Sequence, residues 1–139
     1  MSAAAQAELD SLLDTSLRLA RGHLDKASEF TPFAVFLSDE GKFILVEYDT
    51  ASKAKAPTVE TILVNLLEQL RTLGRQARCT AIALNTRLEK ERTDALEFRL
   101  EHRDGGSVVV LLPYKRALFG GSTEYAAPHA YTGKRLVWA

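Results

Sequence analysis

Apolar residues recur at helical spacing in two stretches of the chain and at strand spacing in five. Leu9, Leu12, Leu13, Leu17, Ala20 and Leu24 share one helical face, with Asp10, Asp14, Arg18 and Arg21 placed elsewhere. This spacing, with acids early and cations late to suit the helix dipole, predicts a helix over about residues 5–26. Pro32 then bars helix, and "FAVFL" followed by "FILVEY" are aromatic and β-branched runs of strand length. The polar "SDEGK" between them predicts a hairpin. Both runs are almost continuously apolar, which predicts cover on both faces of the sheet at this hairpin.

The second helical face comprises Val59, Ile62, Leu63, Leu66, Leu67 and Leu70. Pro57 is expected in its first turn and Gly74 as its terminator. Three further strands follow. "ARCTAIAL" is largely apolar; "ALEFRLEHR" alternates strictly, so Glu97, Arg99 and Glu101 are expected on a wet face; "SVVVLLPY" is expected to be buried and ends at a proline. "DGG" at 104–106 supplies the turn between the last two. The pattern predicts an α+β fold: a five-stranded antiparallel sheet with two main helices, in the order α-β-β-α-β-β-β, plus an extended C-terminal tail. A chain of 139 residues suits one domain, with its core over about 5–114 and a strap over 115–139.

This order of elements resembles the roadblock and longin proteins of the profilin-like group, whose helices flank a five-stranded antiparallel sheet. That resemblance carries no function with it. A second one lies in "GHLDKASEFTPFAVFLSDEGK", where an acidic residue, Phe30, Pro32 and Phe33 precede a strand and an acidic-Gly turn. It is similar to a family of small uncharacterised bacterial proteins, which implies a bacterial origin and no established activity.

Composition narrows the functional classes. Formal net charge is zero, so no overall field favours nucleic acid. From Tyr114 onward Lys115, Arg116, Lys134 and Arg135 face only Glu124, a patch too small for a nucleic-acid stripe. No run of apolar residues is long enough for a membrane span, and the first residues lack the pattern of a secretory signal, so the expected location is cytoplasmic. Cys79 is the one cysteine; in its apolar setting it is expected to be a small buried hydrophobe rather than a nucleophile.

No catalytic set, cofactor site or metal site is legible. "DEGK" at 39–42 and "ERTD" at 91–94 lack calcium-loop spacing, and "YKRALFGGSTEY" lacks the phosphate-loop pattern. His23 has no evident partner. His102 is expected half-buried at a strand end, and His129 is expected to be a solvated loop residue.

The tail, dense in aromatics and cations, remains. The leading expectation is a non-enzymatic domain acting by association, most simply as a homodimer, with Phe119 and Trp138 as interface residues. The reason is that the apolar strands at 33–37, 43–46 and 108–112 outnumber the helices available to cover them. The alternative is a sensor for a small anionic or aromatic ligand, with a pocket between sheet and tail. Its candidate residues are Tyr114, Lys115, Arg116, Tyr125, His129 and Tyr131.

Overall fold

The computed structural model of the chain describes residues 1–49, 56–117 and 122–139. Helix α1 (Ala3–Leu24) starts two residues earlier than its hydrophobic pattern suggests, because the Ser2 hydroxyl caps it by accepting from the Ala5 N–H. Strands β1 (Phe33–Ser38) and β2 (Phe43–Val46) form the expected hairpin. Helix α2 (Val59–Leu73) is capped by the Thr58 hydroxyl, so Pro57 precedes the cap instead of occupying the first turn. Gly74 closes α2 with φ 54°, a conformation that favours glycine.

Strands β3 (Ala77–Leu88), β4 (Thr93–His102) and β5 (Ser107–Lys115) form a meander, and all pairings are antiparallel. The fold is thus α+β with two α-helices and an antiparallel sheet. The expected count of five strands needs correction. The tail adds β6 (Glu124–Tyr125) and β7 (His129–Thr132), both paired to β5, giving the order β2-β1-β3-β4-β5 with β6 and β7 beyond. These two were missed because each is too short to show a period, and Pro128 falls between them.

Two apolar layers sandwich the sheet. On one face Leu9, Leu12, Ala20 and Leu24 of α1 meet Val35, Ala81, Phe98, Leu100 and Leu112. On the other Ile62, Leu66 and Leu70 of α2 meet Ala34, Phe36, Ile82 and Leu84. Helix α2 therefore covers β1 and β3, and the remaining strands on its side need a different cover.

Part of that cover comes from residues 133–139. Gly133 leaves β7 with its N–H on the Ser107 carbonyl, and a side chain there would lie 2.9 Å from the Ser107 hydroxyl. The chain then crosses β4. Leu136 and Val137 N–H groups donate to Glu101 Oε1 (2.7 and 3.0 Å), and Trp138 N–H donates to Oε2 (2.7 Å). Val137 and Trp138 pack against the α2 layer, and the indole N–H reaches the Gly74 carbonyl at 3.3 Å. Glu101 is only 4% exposed, so the wet face expected for β4 is wet at Arg99 but closed at Glu101. The returning tail, invisible to a strand-local pattern, causes the difference.

The expected cover of the hairpin also fails on one strand. β1 is buried throughout, whereas Phe43, Ile44 and Leu45 of β2 are 44%, 40% and 45% exposed. β2 is the outermost strand among the described residues, and Phe43, Ile44 and Leu45 lie outside both apolar layers.

Candidate functional sites

Three places on this scaffold concentrate chemistry: a buried polar set under α1, a groove beside the tail, and the β2 edge.

The polar set joins residues far apart in sequence. Across β3 and β4, Cys79 lies opposite His102, and Glu8 of α1 binds the imidazole. A thiol, an imidazole and a carboxylate are the residue types of a nucleophile, base and orienter. Their hydrogen bonding removes that capacity. The Asp104 N–H donates to His102 Nδ1 (3.1 Å), which leaves the ring proton on Nε2, donated to Glu8 Oε1 at 2.9 Å. With both ring nitrogens engaged, none is free to take a thiol proton. Cys79 is fully buried, and burial, with the Glu8 charge adding to it, pushes its thiol up to about 12.

This cluster is an anchor. Glu8 Oε2 also meets Arg78 Nη1 at 3.0 Å, and the hydrogen bond from His102 above all holds its carboxyl below the usual carboxylate range. It pins the start of α1 to the β4–β5 turn. His102 is thus fully buried, deeper than its strand-end position suggests. The signal that could have paired Cys79 with His102 was the register running back from the β3–β4 turn.

The groove, of about 470 Å³, lies on the α2 face between α2 and the tail. Leu67, Ile82, Val109 and Tyr131 give it apolar walls, and Arg99 and Lys134 give it cations. Arg99 Nε binds Glu97 at 2.6 Å; no partner among the described residues takes its two Nη atoms.

Of the residues singled out in the sequence, Tyr131 lines this groove. The others go elsewhere. Tyr114 is buried under α1 and accepts from Asn85 Nδ2 at 2.8 Å. The Tyr125 ring is tilted against that of Tyr114 with centroids 6.2 Å apart and lies 4.5 Å below the Arg21 guanidinium. Burial pushes both phenols up. Arg116 closes the end of α1 by donating to the Leu24 and Ala27 carbonyls (2.5 and 2.6 Å). Lys115 and His129 are exposed; His129 lies on the Tyr131 face of β7. Trp138 is tucked against the end of α2, and Phe119 lies outside the described residues. His23, exposed, stacks on Phe30 with centroids 5.4 Å apart. Sequence reasoning overlooked Arg99 and Glu101, reading them as solvated members of an alternating strand.

The third place is the β2 edge. Its three exposed apolar residues lie in a row, and among the described residues no strand pairs with its outer side. Soluble proteins normally guard such edges with charges, proline or a bulge, and 43–46 contains none.

Comparison with known proteins finds no matching family model, no matching curated protein and no matching solved structure. No helix among the described residues is long and apolar enough to cross a membrane.

Proposed function

We propose that this chain works by association, as a non-enzymatic α+β domain whose partner adds to the β2 edge, and that in the simplest case the partner is a second copy. One observation carries the reading: the sheet's outermost strand presents Phe43, Ile44 and Leu45 to solvent while its hairpin partner β1 is buried throughout. An open strand offers unpaired N–H and C=O groups in register, and flanking apolar side chains add affinity when a further strand docks. Light scattering across 1–100 µM tests it. A mass rising toward twice that of the chain is expected; a constant monomer mass at 100 µM rejects the homodimer.

A second reading rests on the groove. Its volume falls within the usual 300–1,000 Å³ range for small-ligand sites. The two Nη atoms of Arg99 offer the paired donors that suit a carboxylate, and the apolar walls suit an aromatic ring. Benzoate at millimolar concentration should raise the melting temperature, and Arg99→Leu should abolish the rise. An equal rise in both proteins, or none in either, removes this reading.

A further inference from the structure

The backbone phase of β2 fixes which of its groups face outward. At the hairpin end, the Ser38 N–H donates to the Lys42 carbonyl at 2.8 Å. Lys42 lies opposite Ser38 in the register that pairs Leu37 with Phe43, Phe36 with Ile44 and Ala34 with Val46. Hydrogen-bonded pairs recur at every second position of an antiparallel ladder. Ile44 and Val46 therefore spend their N–H and C=O groups on β1, and Phe43 and Leu45 turn theirs outward.

From this phase we infer that two copies of the chain pair their β2 strands antiparallel about a two-fold axis through Ile44, joining their sheets into one. The inference rests on the association reading above and specifies its geometry.

Two independent features select this register. A two-fold axis normal to the sheet preserves the faces, so opposed residues must share a face, and the axis must pass through a residue position. Centred on Ile44, Phe43 meets Leu45 of the other copy at both ends. These are the two residues with outward N–H and C=O groups, and their pairing makes four backbone hydrogen bonds. The side chains match as well, because Ile44 meets Ile44 on one face and Phe43 meets Leu45 on the other. All three exposed apolar residues thereby face apolar residues. Centring on Leu45 would instead set Phe43 against Glu47. The charges do not oppose the pairing: Lys42 lies opposite Val46 and Glu47 opposite Gly41 of the other copy, so no like charges meet.

The other edge of the sheet does not compete. β6 and β7 are interrupted at Pro128, and β7 reads His-Ala-Tyr-Thr, a short and more polar strand.

Site-specific disulfide trapping tests the geometry. A non-hydrogen-bonded antiparallel pair brings its Cα atoms to about 4.5 Å, within the range of roughly 4.4–6.8 Å that a disulfide spans. In a Cys79→Ala background, Ile44→Cys should oxidise to a linked dimer at least tenfold faster than Leu45→Cys or His129→Cys. Ile44→Lys, which opposes two like charges, should weaken the dimer at least tenfold while keeping the far-ultraviolet circular dichroism of the parent. A dimeric parent with equal trapping rates at the three positions would overturn the Ile44 axis and leave association standing. A parent that stays monomeric at 100 µM would overturn both.

Discussion

Strands β1 and β2 are two arms of one hairpin, almost equally apolar, yet Phe36 is 7% exposed and its cross-strand neighbour Ile44 40%. Position in the sheet explains the contrast. β1 has a strand on each side, α1 over one face and α2 over the other, so each of its residues is enclosed. Among the described residues β2 pairs with one strand, and its Phe43, Ile44 and Leu45 lie outside both apolar layers. Apolar composition thus reports where a residue is able to go, and topology decides whether cover is there. In β1 the apolar residues build the core; in β2 they flank a backbone edge that no described strand pairs.

The sharpest way to break this contrast is truncation on each arm. Phe36→Ala should cost about 3–5 kcal/mol, the usual loss for a buried phenylalanine, whereas Phe43→Ala should cost less than about 1 kcal/mol, as for an exposed site. Urea unfolding at sub-micromolar concentration, where association is suppressed, measures both. Equal losses would mean that β2 belongs to the monomer's core.

Next in size is the tail, which gives β4 a cover that β2 lacks. Glu101→Ala removes the acceptor for three successive N–H groups. Hydrogen bonds to charged groups are worth about 1.5–3 kcal/mol each and are not additive, so a total loss of roughly 2–4 kcal/mol is expected. Trp138 is the only tryptophan, so its fluorescence should shift to the red as the tail lifts. An unshifted spectrum would show that the indole contacts hold the tail without the carboxylate.

The two covers also differ in how far they could be read from residues alone. Both helices and the five main strands were legible, because each repeats its period over enough residues to stand out. The tail's role was not. Glu101 alternates with Leu100 as any solvent-facing residue would, and only the return of residues 136–138 from a distant point encloses it. The site residues suffered the same way. Tyr114, Tyr125 and Arg116 looked available because nothing local opposed them, while α1, its C-terminal carbonyls and Asn85 were waiting in space. The exposure of β2 escaped for the converse reason: an unshielded edge strand and a buried central one share the same apolar signature.

A smaller effect concerns the clasp that pins the start of α1 to the sheet at the β4–β5 turn. Glu8→Ala leaves the His102 Nε2–H without its acceptor, and the cost of such a buried group is about 1–3 kcal/mol. Because the folded-state pKa of Glu8 is lowered, its contribution is complete above the ordinary value of 4.5 and is lost as pH falls through the folded value. Melting temperatures between pH 7 and 3 should therefore fall more steeply for the parent than for Glu8→Gln. Cys79 acts at the other end. Its thiol is raised from 9.0 to about 12, so its contribution is intact below pH 9 and declines as pH rises toward 12. Cys79→Ala should flatten that alkaline decline. In hydrogen exchange at pH 4, β1 amides should lose protection before the outward amides of β2 change, since the latter have little to lose.

The smallest expected change is the most discriminating. Leu45→Thr introduces a β-branched residue suited to a strand and removes most of the apolar surface from an exposed position. In dilute solution its effect should stay within about 0.5 kcal/mol, as for surface substitutions. At 100 µM the proteins should part. Binding that favours the folded state raises apparent stability with concentration, so the parent's melting temperature should climb between 1 and 100 µM and the variant's should stay level. A variant that climbs equally places the association elsewhere on the molecule. A variant already destabilised by several kcal/mol in dilute solution would make Leu45 a core residue and erase the difference between the two arms.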